Sequence, residues 1–223
     1  MDFHLLKDII DLMWEFENSN SKSNLFSNDL SGFKQWVIFN SSKSETTVEP
    51  DWEGKENGRS PESVISTFIV HMNRYAKNYS KSAIYGSDFS TQEDFIYLIN
   101  LKAFGEMTKM ELIKRNIQDK PVGMQIINRL ISQDWVQQND SETDKRSKVI
   151  NITSKGLEAL DKQMGKIRQA TNIVSGDLSH IEKMELIRLL KKLNDFHHPI
   201  YCQNLEPEEL LNEALKTRLT IVK

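Results

Sequence analysis

One predicted helix carries polar side chains whose chemistry suits hydrogen bonding to base edges or phosphates. It spans residues 121–134, and Gln125, Asn128 and Arg129 lie on or near the side away from its apolar stripe. Amide and guanidinium groups match the donors and acceptors of bases and phosphates. A solvated polar face is the alternative for these side chains. The residues expected to contact nucleic acid on this helix and at its start are Lys120, Met124, Gln125, Asn128 and Arg129.

A second cationic segment follows in residues 140–148, a polar turn between two short predicted strands. It contains Lys145, Arg146 and Lys148. An extended loop of this size reaches an adjacent minor groove or the phosphate backbone, and Arg146 is the residue expected to enter the groove. Its alternative role is a surface ion pair with a neighbouring acid such as Asp144, which would add little to stability.

Two short helices and a β-hairpin position these side chains. Thr108 and the acid three residues later form a capping box that opens the first helix. Lys120-Pro121 begins the second, because proline suits a first helical turn while the residue before it avoids helical geometry. Residues 135–138 and 149–152 read as strands on either side of the polar turn. Two helices with a tight turn and a following hairpin predict a winged helix-turn-helix, whose second helix fits a major groove.

Longer amphipathic helices flank this lobe. Ser60-Pro61 is a strong helix start, Ser90 and Ser179 each begin a capping-box pattern, and Thr153 precedes a further helix. Residues 40–60 are poor in apolar side chains and predict a loop or linker. The expected fold class is therefore mainly α with a small β-hairpin.

Composition excludes several classes of protein. The chain of 223 residues is 38% hydrophobic, and its apolar runs are too short to cross a membrane. The formal charge is −3, and it is unevenly distributed along the chain. Residues 1–60 hold 11 acidic and 6 basic residues, whereas residues 108–156 hold 6 acidic and 9 basic residues. The only cysteine, Cys202, cannot form an internal disulfide, which fits a cytoplasmic protein. Because the chain contains no phosphate loop, nucleophile elbow or zinc-protease motif, we expect neither an enzyme nor a cofactor.

The helix order and cap positions over roughly residues 60–200 resemble the MarR family of bacterial regulators. The most specific part is residues 144–156, which look like the family's wing signature of Asp-x-Arg, an alternating strand, and a threonine shortly before a glycine. The resemblance implies that Asp144 holds the wing and that Arg146 contacts DNA. Glu111-Leu112 and Leu130 similarly match landmarks of the helix-turn-helix. The sequence departs from the pattern at three positions, which are Ile113, Asp134 and Gln138.

Asp134 stands where the family has a glycine after the recognition helix. Aspartate tolerates left-handed backbone geometry, so Asp134 is still expected to end that helix.

The resemblance also implies a winged helix-turn-helix domain with long dimerisation helices. Its double-stranded DNA target would be a pseudo-palindromic operator, bound by a homodimer that acts as a repressor and is released by a small-molecule effector. The implied domains are an N-terminal helical extension and linker (1–60), the MarR-like domain (61–202) and a C-terminal helical tail (203–223). Within the second, the DNA-binding lobe covers 90–156 and the dimerisation helices cover 61–80 and 154–196.

Two features leave alternatives open. His71 and Tyr75 are candidates to line an effector pocket, although packing between helices explains them as well. His197, His198 and Cys202 are close in sequence, but they lack the spacing of a metal site, and none is expected. For the whole chain, the alternatives are a winged-helix module that binds a protein partner and a ligand sensor without DNA affinity.

Overall fold

The computed structural model describes residues 3–23, 26–44, 50–140 and 148–221. The chain forms two compact units, Met1–Val64 and Ile65–Lys223. The α-helices are α1 (Phe3–Ser23), α2 (Leu30–Ser44), α3 (Pro61–Ala83), α4 (Gln92–Phe104), α5 (Lys109–Arg115), α6 (Lys120–Ser132), α7 (Ser154–Val174), α8 (His180–Cys202) and α9 (Pro207–Ile221). The strands are β1 (Met107–Thr108), β2 (Val136–Asp140) and β3 (Lys148–Ile152). In the described ranges, no helix has the length and apolar character needed to span a membrane.

The first unit is organised around an aromatic cluster between α1 and α2. The Phe16 ring packs edge-on against the rings of Phe33 and Trp36, each at a centroid distance of 5.5 Å. The buried Asn20 amide donates to the Phe26 carbonyl and to Asn28. Helix α2 runs to Ser44, so it covers the first residues of the segment that the sequence predicted to be a loop.

The core of the second unit lies where α4, α5, α6 and α7 meet the small sheet. Its innermost side chains, each at most 1% exposed, include Leu112, Ile127, Leu130, Ile150 and Leu160. Their burial follows from the predicted helical and strand spacing, since one face of each element is apolar. The mainly helical fold class with a small hairpin is confirmed.

The sheet has one more strand than the sequence predicted. Its order is β1-β3-β2, and both pairings are antiparallel. The additional strand, β1, has only two residues, with Met107 opposite Ile150. A two-residue strand has no detectable alternation of its own, so only its pairing partner reveals it.

Several helix starts agree with the sequence, and one differs. Helix α3 begins at Pro61, and the boxes of Thr108 with Glu111 and Ser179 with Glu182 are both present. The prediction that Ser90 caps α4 is wrong by one residue, because Thr91 is the cap and Asp94 completes the box. The Asp94 carboxylate accepts from the backbone N–H of Ser90 and of Thr91, at 2.8 and 3.0 Å.

Helix α8 is longer than expected and is poorly covered within one chain. It continues through Pro199 to Cys202, and Ile200 is its only buried residue. Helix α7 is held to the end of α3 by the buried amide of Gln163, which donates to the carbonyl of Ala83.

Candidate nucleic-acid interface

Helices α5 and α6 pack closely because a glycine lies at their crossing. Leu112 and Ile113 of α5 are buried in the same core cluster as Ile127 and Leu130 of α6. Gly123 faces Ile113, and a Cβ at position 123 would lie 2.4 Å from Ile113 Cγ1. No heavier side chain fits there without moving one helix. The close approach of α5 and α6 therefore depends on a glycine at position 123.

The turn between these helices is held by amide side chains. Asn116 Nδ2 donates to the Leu112 carbonyl at 2.7 Å, and Asn116 Oδ1 accepts from Asn100 of α4 at 2.9 Å. The next residue, Ile117, has a φ of 51°, in the left-handed region. From the other side, the Tyr201 hydroxyl of α8 donates to the carbonyl of Gln118. The turn is thus fixed by contacts from two helices outside the pair.

The outer face of α6 is neutral and polar. Gln125, Asn128 and Ser132 are exposed on it, together with Val122, which is 42% exposed. Among the described residues, the side chains of Gln125 and Asn128 have no hydrogen-bond partner, whereas the Ser132 hydroxyl donates to the Arg129 carbonyl. The two amides predicted to contact nucleic acid are therefore accessible.

Two other predicted contact residues of α6 are engaged within the protein. Met124 is half-buried and packs against the core cluster. Arg129 Nε donates to Asp94 Oδ1 at 2.9 Å, its Nη2 pairs with the same oxygen, and Nη2 also donates to Thr91 Oγ1 at 3.2 Å. The Asp94 side chain is 1% exposed and that of Arg129 is 31% exposed. This pair joins α6 to the first turn of α4.

The sequence signal for the Arg129 pair was present but incomplete. An acid three residues after Thr91 indicates a cap, although the same stretch of sequence favours the neighbouring Ser90 for that role. Nothing in a local pattern indicates that a carboxylate which caps α4 also receives a guanidinium 35 residues later.

The strands β2 and β3 form the wing, with Val136 opposite Ile152 at its base and Asp140 opposite Lys148 at its outer end. Lys148 is exposed, and so is Lys120 at the start of α6. The predicted wing residues Asp144, Lys145 and Arg146 lie outside the described residues. Their roles stay predictions.

Comparison with known proteins places this geometry in a recognised domain. Residues 89–156 match the family model described as "Winged helix DNA-binding domain". A curated relative, the HTH-type transcriptional repressor NicR of Pseudomonas putida, is 29% identical over 105 residues. That match covers 47% of this chain and 66% of NicR, just under two thirds of its length.

Residues 89–156 therefore have the fold of a winged helix domain.

Solved structures with the same fold extend the likeness beyond the winged-helix domain. Bordetella bronchiseptica BpsR, whose DNA binding is regulated by 6-hydroxynicotinic acid, aligns with a TM-score of 0.56 at 18% identity, over 61% of this chain and 97% of its own. A mutant MarR from E. coli in complex with operator DNA aligns with a TM-score of 0.55 at 20% identity, over 65% of this chain and 99% of its own. An organohalide-sensing regulator bound to 2,4-dichlorophenol aligns with a TM-score of 0.57 at 16% identity, over 70% of this chain and 91% of its own. The chain therefore has the fold of MarR-type regulators.

The winged-helix domain is joined to α7 by another close approach. The Trp135 carbonyl accepts from the Thr153 N–H at 3.0 Å, and a Cβ at position 156 would lie 2.3 Å from that same oxygen. Gly156, the glycine of the predicted wing signature, is needed for this contact. Asp134 has a φ of 58°, which confirms that it takes the left-handed geometry expected after α6.

A cleft lies beside the winged-helix domain, on the side of the α5–α6 turn. It has a volume of about 380 Å³ and is bounded by Ile113, Lys114 and Lys120 on one side and by Tyr201 and Leu210 on the other. The predicted pocket residues are elsewhere, on α3, where His71 and Tyr75 lie exposed with ring centroids 6.5 Å apart. The structure does not bring them to this cleft.

Proposed function

We propose that this chain is a transcriptional repressor that binds a pseudo-palindromic operator as a homodimer, in the cytoplasm. The observation that carries the proposal is the exposed amide face of α6 within a winged helix DNA-binding domain. The second helix of such a domain enters the major groove with its outer face toward base edges. The match to the repressor NicR supports repression over activation. The relatives point to a regulator and not to an enzyme.

The proposed contacts divide by chemistry. Gln125 and Asn128 contact bases, and Lys120 and Lys148 contact phosphates, together with Lys145 of the wing. Arg146 enters the minor groove, and Asp144 holds the wing. The cations proposed to contact DNA are few, and Arg129 is already paired with Asp94. Binding should therefore depend on salt with a modest slope, because each neutralised phosphate releases a counterion.

We assign a supporting role to the two other predicted contacts on α6. Met124 packs against the core, and Arg129 ties α6 to α4 through Asp94. Both contacts fix the position of the helix without facing DNA.

Self-association is supported by the exposed apolar surface of the long helices. Helix α8 buries only Ile200 within one chain. Its exposed apolar side chains, between 40% and 79% accessible, are Ile181, Met184, Leu186, Ile187, Leu189, Leu190 and Leu193. Helix α3 also exposes Ile65, Phe68, Ile69 and Met72. So much apolar surface is typical of an interface, and a second copy of the chain covers it in our proposal.

The dimer is tested with a charge placed in that surface. Ile187→Glu should shift the molecular mass in solution from dimer to monomer, because a carboxylate would be desolvated in an apolar interface. Lys192→Glu, at an exposed polar position of the same helix, should leave the dimer intact. A wild-type chain that remains a soluble monomer at micromolar concentration would contradict the proposal.

A small aromatic effector is supported by two relatives, one regulated by 6-hydroxynicotinic acid and one solved with 2,4-dichlorophenol. The proposed site in this chain is the cleft between the α5–α6 turn and α8–α9, where Lys114 and Lys120 accompany apolar side chains. An occupant there would favour one position of α6 over another and so change its affinity for DNA. The two named compounds are the probes, and release of bound DNA is the readout. Leu210→Ala, which removes apolar contact without adding charge beside Lys120, should weaken that release without changing DNA affinity in the absence of the compounds.

DNA binding itself is tested by selection from a random double-stranded pool with the full chain. We expect a pseudo-palindrome to be enriched and its affinity to fall as salt rises. Gln125→Ala and Asn128→Ala should lower affinity for the selected site, whereas Gln35→Ala, an exposed amide on α2, should not. If a folded dimer enriches no sequence at low salt, the chain is instead a winged-helix module that binds a protein partner.

A further inference from the structure

The surface of α6 that faces bases is a single side of the helix, and its assignment as a reading surface rests on the proposed DNA binding. Positions 122, 125, 128, 129 and 132 share this face, because 3.6 residues per turn places all five within an arc of roughly 120° around the helix axis. Four of them present Val122, Gln125, Asn128 and Ser132 to solvent. The fifth is Arg129, whose guanidinium is turned away toward α4.

Arg129 is committed to Asp94 by a nearly complete set of contacts. Two of its three nitrogens bond to Asp94 Oδ1, and Nη2 also reaches Thr91. The carboxylate is 1% exposed, and its other oxygen receives the backbone N–H of Ser90 and Thr91. Withdrawing Arg129 to bind a base would leave a buried carboxylate without its cation, which is strongly destabilising. The internal pair is therefore the more stable arrangement for Arg129.

The other cation of α6 lies on a different side of the helix. Lys120 is two residues before Val122, which places it roughly 160° around the axis from that residue. It lines the cleft together with Tyr201 and Leu210. Lys120 is therefore in a position to reach a phosphate beside the helix start and not the bases below the outer face.

We infer that α6 reads A·T base pairs, through the side-chain amides of Gln125 and Asn128 and the methyl groups of Val122. An amide offers one acceptor and one donor side by side, which matches the N6 donor and N7 acceptor of adenine. Guanine presents two acceptors there, which suit the paired donors of arginine or lysine. The exposed aliphatic group of Val122 suits contact with the thymine methyl group. The half-site positions read by α6 therefore carry adenine and thymine.

Atom-specific changes in the selected operator test this inference. Replacing each half-site adenine by 7-deazaadenine removes the N7 acceptor and should raise Kd by about fivefold or more at two positions per half-site. Replacing half-site guanines by 7-deazaguanine should change Kd less than twofold. Loss of affinity with 7-deazaguanine and none with 7-deazaadenine would overturn the inference while leaving operator binding intact. Failure to select any operator would instead overturn the proposed function, and the inference with it.

Protein variants provide a second test, whose result does not depend on the fraction of each variant that is folded. The readout is the Kd for a site with one contacted A·T pair changed to G·C, divided by the Kd for the selected site. Gln125→Ala and Asn128→Ala should each reduce this ratio by about fivefold or more. Gln35→Ala, the exposed amide on α2, should leave it within twofold. An unchanged ratio in both α6 variants would show that these amides do not read bases and would overturn the inference.

Discussion

The hydroxyl of Tyr201, near the end of α8, donates to the carbonyl of Gln118 in the α5–α6 turn at a distance of 3.0 Å. The two residues are 83 positions apart, and the bond connects the proposed dimer helix directly to the helix-turn-helix. The bond therefore ties the end of α8 to a residue two positions before the start of α6.

Tyr201→Phe removes that bond and keeps the ring. We expect the free energy of unfolding to fall by about 1 kcal/mol, the usual net value of a partly buried neutral hydrogen bond. Tyr85→Phe is the matched control, because Tyr85 is 85% exposed. Denaturant unfolding measures both variants. Equal stability of the wild type and Tyr201→Phe would mean that water replaces the Tyr201 hydroxyl as the partner of the Gln118 carbonyl at no cost.

Tyr97 has a buried hydroxyl without a hydrogen-bond partner among the described residues. Its side chain is 1% exposed. Tyr97→Phe should therefore raise the free energy of unfolding by about 1 kcal/mol, since an unsatisfied buried polar group costs roughly 1–3 kcal/mol. A loss of stability in thermal unfolding would contradict this prediction and would indicate a bound water at the hydroxyl.

The same tyrosine makes stability sensitive to alkaline pH. Burial raises the pKa of Tyr97 from 10.0 to about 12, and the negative charges of Glu93 and ionised Tyr201 add to the effect. The folded state holds the neutral phenol, so this contribution is complete below pH 10 and is lost as the pH rises toward 12. Between those values the wild type should lose stability more steeply than Tyr97→Phe. Parallel pH profiles for the two proteins would overturn the assignment.

Ile117 places a β-branched side chain in the left-handed region, with a φ of 51°. That conformation costs about 1–2 kcal/mol for a residue with a Cβ and much less for glycine. Because Ile117 is 50% exposed, Ile117→Gly loses little burial and should raise the free energy of unfolding by about 1 kcal/mol. Gly86→Ala should do the reverse, since Gly86 has a φ of 74°. A loss of stability for Ile117→Gly would show that the side chain contributes more than its strain.

Glu111 gives the start of α5 a dependence on acid. Its carboxylate accepts from the N–H and the hydroxyl of Thr108, at 2.7 and 2.8 Å, and these bonds hold the pKa of Glu111 below its usual 4.5. The stability that these bonds add is complete above pH 4.5, and it is lost as the pH falls through the lowered pKa of Glu111. Thermal unfolding of the wild type and Glu111→Gln should differ near pH 7 and converge in acid. Glu158→Gln controls for the loss of one negative charge.

The helix caps show which features of the fold a local sequence pattern can predict. A cap depends on residues three positions apart, so Thr108 and Ser179 could be recognised with no knowledge of the fold. At the start of α4, Ser90 and Thr91 are adjacent, and each is followed three residues later by an acid. The choice of Thr91 coincides with Asp94 also receiving Arg129 from α6, a contact outside the reach of any local pattern.

The sequence by itself determined the order of the helices, the apolar face of each one and the position of the wing. These depend on periodicity and on cap residues, which are local properties of the chain. Only the tertiary structure decided which polar groups of α6 are accessible. Gln125, Asn128 and Arg129 look equivalent on a helical projection, yet a buried carboxylate on another helix engages one of them and leaves the two amides exposed. An ion pair forms only between groups that are close in space, and Arg129 and Asp94 come close only when α4 and α6 pack together.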